Sequence, residues 1–307
     1  MEWFLAAAGL IILIFAGDSL VKGAVNLALR LGVPALIVSL TIVAFGTSAP
    51  ELLISVQSIL DGVPGLALGN VVGSNTANVL LVLGVPALLA VMHTSETNVR
   101  SSYLQMLAAT VLFIALCFTG TLNWISGLIL LAGLTAMLTH AILTVRRSAT
   151  APEVEGADPS MGWPQIILYL VLGLIGLPIG SHLLISGATI IAQNFGLSDS
   201  VIGLTLVAVG TSLPELATTV MAALRRQADV ALGNVIGSNM FNLLGIMGVA
   251  TLVGPVPVDA QFLTFDLWVM LGAALLMIPL VFFRADITRI WGIGLTGAYA
   301  VYVWSLL

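Results

Sequence analysis

Charged residues are scarce in this chain of 307 residues. They make up 7% of it, while hydrophobic residues make up 59% and the mean hydropathy is +1.15. A soluble domain carries about 25% charged residues, so these values exclude a soluble globular protein. The alternating pattern of an outer-membrane barrel is also missing. The sequence therefore predicts an all-α integral membrane protein.

Other absences narrow the function. Cysteine occurs once, as Cys117, inside an apolar segment, so no internal disulfide forms and we interpret it as a small core residue. Glu2 stands where a signal peptide has basic residues, so we expect the first segment to be retained. The HExxH pair of a zinc protease and a Gly-x-Ser-x-Gly elbow are both missing. We therefore do not expect an intramembrane enzyme.

Apolar stretches recur ten times, and a helix needs about 20 such residues to cross a bilayer. They run approximately over 3–29, 33–60, 66–92, 100–119, 123–145, 163–194, 199–224, 230–254, 262–283 and 287–306. The stretch SATAPEVEGADPSMG at 148–162 is rich in Ala, Pro and acidic residues, which indicates a linker. We predict ten transmembrane helices: a first five-helix repeat over 1–147, a cytoplasmic linker over 148–162 and a second, inverted five-helix repeat over 163–307.

The two halves repeat each other at a constant offset of 164 residues, as from Gly46 to Gly210. GTSAPE at 46–51 returns as GTSLPE at 210–215. ALGNVVGSN at 67–75 returns as ALGNVIGSN at 231–239, with eight of nine residues identical. Because each half contains five segments, an odd number, the second copy enters the membrane from the opposite side. Inverted repeats of this kind are typical of secondary transporters.

The basic residues predict the orientation. Each loop is numbered by the apolar segment that precedes it, so that all odd-numbered loops share one side of the membrane. All nine basic residues fall at odd-numbered loops: Lys22, Arg30, Arg100, Arg146, Arg147, Arg225, Arg226, Arg284 and Arg289. Lys and Arg concentrate in cytoplasmic loops. We therefore expect a multi-pass protein of the plasma (inner) membrane with both termini outside the cytoplasm.

The motif GTSAPE puts Glu51 and Pro50 where a membrane-spanning helix should have neither. Pro50 removes a backbone donor and disfavours helix at the preceding residue, so the second segment should break there and free backbone carbonyls. Thr47, Ser48 and Glu51 are spaced i, i+1 and i+4, which places hydroxyls and carboxylate on one helix face. The second copy supplies Thr211, Ser212 and Glu215 from the opposite direction.

The second motif, ALGNxxGSNxxN, adds neutral oxygens. Ser74 and Asn78 share a face by i, i+4 spacing, as do Ser238 and Asn242. The glycines at 69, 73, 233 and 237 permit close helix approach. Together the motifs predict a pseudo-symmetric cage of carboxylates, hydroxyls, amides and freed carbonyls. Such hard ligands select Ca²⁺ or Na⁺, and two carboxylates allow one Ca²⁺ to exchange for several Na⁺ or H⁺.

Structural roles stay open for part of this set. Serine and threonine hydroxyls also bond the i−4 carbonyl, and Asn78 and Asn242 also suit interhelical hydrogen bonding. That structural role is favoured over ligation for Asn70, Asn75, Asn234 and Asn239. Asp18 either lines an access path or pairs with Lys22 at i+4, and its repeat counterpart is His182.

GTSAPE with GNVVGSNTAN, and GTSLPE with GNVIGSNMFN, closely resemble the two alpha-repeats of the sodium/calcium exchanger family. The resemblance covers the whole chain and is to prokaryotic members that lack large regulatory domains. It implies that segments 2, 3, 7 and 8 form a core around four ion sites, while segments 1 and 6 slide across that core to alternate access.

The resemblance also implies a ligand set. Glu51 and Glu215 would bind Ca²⁺ together with the carbonyls of Thr47 and Thr211, and Asn78 would line the middle of the cage. The Na⁺ sites would use Ser48, Ser74, Ser212, Ser238 and the carbonyls of Ala44 and Ala208.

One departure from the family pattern concerns Asn242. Several relatives, including K⁺-dependent exchangers, carry Asp there, whereas this chain has Asn at both 78 and 242. The cage then has two formal negative charges instead of three. This argues against K⁺ cotransport. It is compatible with the exchange of three Na⁺ for one Ca²⁺ that the resemblance implies, in which the Na⁺-loaded form carries excess positive charge and transport is electrogenic.

The closest alternative is a Ca²⁺/H⁺ antiporter, because the superfamily has proton-coupled members, although these tend toward GNxxE variants. A passive cation channel is less favoured, since channels usually build their filter in a symmetric oligomer and this site is complete in one chain. We therefore expect a functional monomer in the lipid bilayer, with Ca²⁺ and Na⁺ as transported ions, no other cofactor and no nucleic-acid partner.

Overall fold

A computed structural model describes residues 1–94, 97–147, 157–195 and 208–306, and helices fill most of them. The helices of the first half are α1 (Glu2–Leu31), α2 (Ala35–Thr47), α3 (Ala49–Leu60), α4 (Pro64–Leu89), α5 (Arg100–Cys117) and α6 (Trp124–Arg147). Those of the second half are α7 (Trp163–Asn194), α8 (Ala208–Thr211), α9 (Leu213–Leu224), α10 (Ala228–Val253), α11 (Phe262–Phe282) and α12 (Arg289–Leu306).

These helices account for the ten predicted segments. In the described residues, seven helices are long and apolar enough to cross a membrane, and the bent pair of α2 and α3 adds an eighth span. The seventh segment contains α8 and α9, and its beginning falls within 196–207, outside the described residues. The tenth segment is α12. The prediction of an all-α membrane fold with ten helices is confirmed.

The long helices α1 and α7 lie antiparallel and nearly backbone to backbone. A Cβ atom at Gly187 would fall 2.5 Å from Ala6 N, and one at Gly173 would fall 2.8 Å from Leu20 Cα. One at Gly180 would fall 2.9 Å from Leu13 N. Small residues permit this approach, as is common between membrane helices. The two helices therefore form one tightly packed unit beside the core.

Polar contacts tie this unit to the seventh segment. Arg225, which follows α9, donates from Nε and Nη2 to Asp18 Oδ1 at 2.5 Å, and Lys22 Nζ lies 3.0 Å from Asp18 Oδ2. Ser181 Oγ of α7 donates to the Gly210 carbonyl at 2.7 Å. The Asp18–Lys22 pair considered from the sequence is thus present, with Arg225 as a second cation.

Contacts between loops agree with the inverted repeat. Arg30 at the first loop donates to the Met161 carbonyl at 2.6 Å, beside the fifth loop. Met92 in the third loop forms an antiparallel bridge with Ile287 in the ninth. Odd-numbered loops therefore lie together at one end of the molecule. Of the linker predicted at 148–162, residues 148–156 lie outside the described residues.

Even-numbered loops meet at the other end. The strands β1 (Thr121–Leu122) in the fourth loop and β2 (Val256–Pro257) in the eighth loop pair antiparallel. Lys22 lies inside α1 and not in the first loop, where the sequence predicts it. The other basic residues whose side chains are described lie at helix ends beside odd-numbered loops: Arg30, Arg100, Arg225, Arg226, Arg284 and Arg289. The assignment of that end to the cytoplasm stays a prediction.

Candidate ion-binding site

Two helix breaks bring the GTSxPE motifs into the core. Ser48 separates α2 from α3 with φ −85° and ψ 4°, and Ser212 separates α8 from α9 with φ −86° and ψ 4°. The helix axes bend by 42° at the first break. Pro50 and Pro214 then stand in the first turn of the following helix, where a backbone donor has no intrahelical partner. The predicted break is present, and both halves make it alike.

The two carboxylates lie just after these breaks, in the first turns of α3 and α9. Glu51 and Glu215 are each 1% exposed. Ser48 Oγ donates to Glu215 Oε1 at 3.1 Å, across the two repeats. In the described part of the chain, both carboxylate oxygens of Glu51 and Oε2 of Glu215 have no hydrogen-bond partner. A buried charge without a partner is costly, so these oxygens suit direct ligation of a cation.

Several neutral polar atoms of the predicted cage are likewise buried without a hydrogen-bond partner among the described residues. They are Asn78 Oδ1, Ser212 Oγ and both polar atoms of the Asn242 side chain. The described residues contain eight such atoms, and seven of them belong to residues of the predicted cage. Buried polar groups are nearly always paired. Their concentration here indicates a site built to bind something other than protein.

The remaining predicted hydroxyl ligands include one pair that joins the two repeats. Thr47 Oγ1 lies 3.4 Å from Ser238 Oγ and 3.3 Å from Asn234 Oδ1, which joins the first repeat to the second. Ser74 and Ser238 are buried, whereas Thr211 is half-buried. The structure thus brings the hydroxyls of Thr47 on α2 and Ser238 on α10 together, and it buries Ser74 on α4.

Hydrogen bonds are described for the carbonyl of Ala44 but not for that of Ala208, the other alanine predicted to bind Na⁺. The Ala44 carbonyl already accepts hydrogen bonds from Ser48 N at 3.0 Å and from Thr47 Oγ1 at 3.3 Å. Ala208 begins α8, and the described structure covers its backbone only. Their role as Na⁺ ligands stays a prediction.

Asn70 and Asn234 brace the carboxylate-bearing helices. Asn70 Nδ2 donates to the Glu51 carbonyl at 3.2 Å and to Ser55 Oγ at 3.1 Å. In the second repeat, Asn234 Nδ2 donates to the Glu215 carbonyl at 3.3 Å and to Thr219 Oγ1 at 3.1 Å. These contacts fit the structural role favoured from the sequence.

The hydroxyls of Ser55 and Thr219 were missed from the sequence. They occupy equivalent positions at the repeat offset, one turn after each glutamate. A search for hydroxyl pairs at that offset would have found them.

Asn78 is held by a contact that the repeat does not duplicate. Its Nδ2 donates to Asn239 Oδ1 at 3.0 Å, and Asn239 Nδ2 lies 3.7 Å from Met106 Sδ on α5. Asn242 lies in a π-helical stretch, Phe241–Ile246, within α10. Such stretches recur at functional sites because the wider turn redirects side chains. The two amides of the cage therefore sit in different surroundings.

Glycines hold α10 against α2. A Cβ atom at Gly237 would fall 2.6 Å from Ala44 Cβ, and one at Gly233 would fall 2.7 Å from Ser39 Cβ. For Gly69, among described atoms, Phe262 Cζ is the nearest at 3.8 Å, and Gly73 has no described atom within 4 Å. Close approach is thus confirmed for the copy of this motif in the second half of the chain. The copy in the first half would face residues 197–208, which are mostly outside the described residues.

Comparison with known proteins agrees with this geometry. The family model described as sodium/calcium exchanger protein matches residues 1–143 and 165–307. The putative antiporter CaxA of Alkalimonas amylolytica is 38% identical over 88% of this chain and 86% of its own length. The sodium/calcium exchanger MaX1 of Methanosarcina acetivorans is 32% identical over 99% and 97%. The inner membrane protein YrbG of Escherichia coli is 32% identical over 97% and 94%.

The fold of this chain also matches that of a solved structure. The sodium-calcium exchanger NCX_Mj, soaked with 2.5 mM Na⁺ and 0.1 mM Ca²⁺, superposes with a TM-score of 0.85 at 31% identity. The superposition covers 100% of this chain and 98% of that one. This fold is that of a membrane transporter and not of an enzyme. The family model, the relatives and the fold agree that the chain belongs to the sodium/calcium exchanger family.

Proposed function

We propose that this protein exchanges Na⁺ for Ca²⁺ across the membrane by alternating access, that the exchange is electrogenic and that it needs no K⁺. The family makes the chain an antiporter of the cation/Ca²⁺ exchanger type. The observation that carries the finer proposal is the set of seven buried, unpartnered polar atoms on five cage residues: Glu51, Asn78, Ser212, Glu215 and Asn242. Oxygen is the ligand that Ca²⁺ and Na⁺ prefer.

The charge of the cage supports electrogenic exchange without K⁺. Two carboxylates, Glu51 and Glu215, balance one Ca²⁺, so the Ca²⁺-loaded cage is neutral. More than two Na⁺ in the same space leave a net positive charge that must cross with the protein. Asn78 and Asn242 are neutral, so the proposed cage has no third carboxylate to balance an additional K⁺.

Each ligand has a proposed role. Glu51 and Glu215 bind Ca²⁺ with the carbonyls of Thr47 and Thr211, and Asn78 and Asn242 line the centre. Na⁺ binds at Ser48, Ser74, Ser212, Ser238 and the carbonyls of Ala44 and Ala208.

A Ca²⁺/H⁺ antiporter is the second candidate, and one observation favours it. Ser48 donates to Glu215, whereas neither carboxylate oxygen of Glu51 has a partner among the described residues. A proton on Glu51 would remove a buried charge. The transport experiment therefore includes a separate test of whether a proton gradient drives Ca²⁺ uptake.

Transport into proteoliposomes tests the function. Uptake of radioactive Ca²⁺ is measured into vesicles loaded with Na⁺, with K⁺ or with acidic buffer, with membrane voltage set by an ionophore. We expect uptake only with internal Na⁺, and slower uptake when the interior is made negative, because net positive charge leaves with Na⁺ and a negative interior opposes its exit. Uptake driven by acid and indifferent to Na⁺ would identify a Ca²⁺/H⁺ antiporter. Downhill Ca²⁺ flux without any counter-ion would identify a channel.

We further propose that the protein works as a monomer in the plasma (inner) membrane, divided into a repeat over 1–147, a cytoplasmic linker over 148–162 and a repeat over 163–307. The cage draws its ligands from one chain, which supports a functional monomer. The clustering of basic residues on odd-numbered loops supports placing both termini outside the cytoplasm.

A further inference from the structure

A polar cavity lies away from the cage, between α2, α5, α6 and α10. Its volume is about 540 Å³, within the range of roughly 300–1,000 Å³ for small-molecule pockets. The polar residues that line it are Asn98, Ser101, Ser102, Gln105, His140 and Asp229. Asn98 lies in the third loop and Asp229 follows the seventh, so the cavity opens at the end of the molecule where the odd-numbered loops meet.

Close helix packing separates this cavity from the cage. Leu40 and Met240, both buried, belong to its lining. Behind Leu40, a Cβ atom at Gly237 would fall 2.7 Å from the Leu40 carbonyl, so no side chain fits between α2 and α10. The cavity is therefore unsuited to carry ions toward Glu51 and Glu215, and its polar lining needs another explanation.

An apolar groove continues the cavity toward the middle of the membrane. A second cavity of about 400 Å³ shares Gln105, Met137, His140 and Met240 with the first. Its other lining residues are Ala108, Ala109, Leu112, Gly133, Ala136 and Leu244. Because Ala108 and Ala136 are exposed, the groove opens to the surrounding lipid. A polar chamber at the membrane surface with an apolar groove below it matches the shape of an amphiphile.

The charge of the chamber indicates the headgroup. Asp229 is its one carboxylate, and no Lys or Arg side chain lines it in the described part of the chain. His140 Nδ1 lies 2.7 Å from Gln105 Nε2, so the lining also offers amide, imidazole and hydroxyl groups. Asp229 stands in the first turn of α10, where a negative charge interacts favourably with the helix dipole. That interaction would not require Asp229 to line a cavity. A carboxylate without a protein cation suits a ligand ammonium group.

We propose that this cavity and groove bind a phospholipid with a primary-amine headgroup. The ammonium group pairs with Asp229, and the phosphate oxygens accept hydrogen bonds from the side chains of Asn98, Ser101 and Ser102. One acyl chain lies in the apolar groove beside Ala136. The site does not depend on which ions the cage transports.

Native mass spectrometry of the full-length protein in detergent tests the proposal. The protein is titrated with phosphatidylethanolamine, phosphatidylcholine or phosphatidylglycerol that carry identical acyl chains. We expect phosphatidylethanolamine to bind most tightly, because choline has no N–H donor and glycerol has no positive charge. Asp229→Asn should weaken phosphatidylethanolamine binding roughly 5- to 10-fold and remove the preference over phosphatidylcholine.

Three further variants keep the test decisive. Asp158→Asn removes a carboxylate at the same end of the molecule but outside the cavity, and should leave binding unchanged. Ala136→Trp should fill the groove and weaken binding of all three lipids. If Asp229→Asn unfolds in the same detergent, Asp229→Glu must retain the phosphatidylethanolamine preference. Equal binding of the three lipids, tighter binding of phosphatidylglycerol, or a folded Asp229→Asn protein that binds like the unaltered chain would overturn the proposal.

Discussion

At the scale of single residues, Glu51 and Glu215 share burial and position but not partners. Ser48 donates to Glu215, while neither carboxylate oxygen of Glu51 has a partner among the described residues. We expect Glu51→Gln and Glu215→Gln each to abolish Ca²⁺ uptake into proteoliposomes, because an amide removes half of the negative charge that balances Ca²⁺. Full Ca²⁺ flux in either variant would contradict the site assignment.

Thermal unfolding separates this effect from misfolding. In ion-free buffer, at a pH where Glu51 is deprotonated, Glu51→Gln removes a buried, unpartnered charge, so its unfolding midpoint should rise by a few degrees. Glu215→Gln loses the hydrogen bond from Ser48 to a charged group and should gain less. A lower midpoint for Glu51→Gln would show that Glu51 supports the fold instead of only binding ions.

Asn242 fixes the charge of the cage in our proposal. With two carboxylates the Ca²⁺-loaded cage is neutral, so Ca²⁺/Ca²⁺ exchange should be insensitive to voltage. Asn242→Asp adds a third carboxylate, and the same exchange should become voltage-dependent. Isotope exchange in voltage-clamped proteoliposomes measures both, with Asn78→Asp as the variant at the equivalent position. Voltage-dependent Ca²⁺/Ca²⁺ exchange in the unaltered protein would refute the two-charge cage.

The sequence predicts some of these residues better than others. The buried positions of Glu51 and Glu215 were predictable, because a carboxylate inside a membrane-spanning segment almost always faces the interior of the helix bundle. The two hydrogen bonds at the Ala44 carbonyl depend on the helix ending at Thr47, which the motif indicates only approximately. The contact of Asn239 with Met106 joins two distant segments, and no spacing along the chain encodes it.

At the scale of elements, the fit between α2 and α10 depends on the absence of a side chain at Gly237. A Cβ atom there would fall 2.6 Å from Ala44 Cβ, so Gly237→Ala should destabilise the protein by about 1–3 kcal/mol. Gly272 in α11 has no described atom within 4 Å of its Cβ position. Gly272→Ala should therefore be neutral or stabilising by about 0.5–1 kcal/mol, the usual gain within a helix.

Thermal unfolding in detergent compares the two alanine variants directly. We expect the two changes in stability to have opposite signs, although both substitutions add one methyl group to a membrane helix. Equal stability of Gly237→Ala and Gly272→Ala would mean that α2 and α10 are not packed this closely.

The polar tie between the α1–α7 unit and α9 is a second element-scale feature. Arg225 and Lys22 both pair with Asp18, whose side chain is 20% exposed. If the unit moves against the core during transport, Asp18→Asn should change the maximal exchange rate by up to about fivefold, since partly exposed pairs contribute roughly 0.2–1 kcal/mol. The Ca²⁺ concentration for half-maximal rate should stay unchanged, because Asp18 is not a ligand. A change confined to that concentration would contradict a role in movement.

At the scale of the whole molecule, the orientation of the inverted repeat can be tested by labelling. Cys117 is buried and can be replaced by Ala in the background. Asp61→Cys in the second loop and Ser160→Cys within the predicted linker both lie at exposed positions. In intact cells an impermeant maleimide should label Asp61→Cys only. Labelling of Ser160→Cys alone would reverse the predicted orientation.

Hydropathy and repetition predict the architecture well but not its asymmetry. Ten apolar segments and a fixed offset suffice for ten helices and an inverted repeat. The pairing of Thr121–Leu122 with Val256–Pro257 was not predictable, since two-residue strands leave no pattern. The cavity beside Asp229 also depends on how side chains of four helices fill space. Its repeat counterparts include Gly65 in place of Asp229 and Asp266 in place of Ser102, so equivalent positions carry different chemistry.

The unpartnered oxygens of Glu51 and Glu215 also bear on how faithfully the two ion flows are coupled. Without ions or bound protons, the core would have to cross the membrane with two buried, charged carboxylates, at a cost of several kcal/mol for each. With either ion set bound, that cost is largely removed. In our proposal the same atoms that bind the transported ions therefore disfavour the return of an empty carrier. We accordingly expect slippage to be rare, so that a gradient of one ion is not dissipated without moving the other.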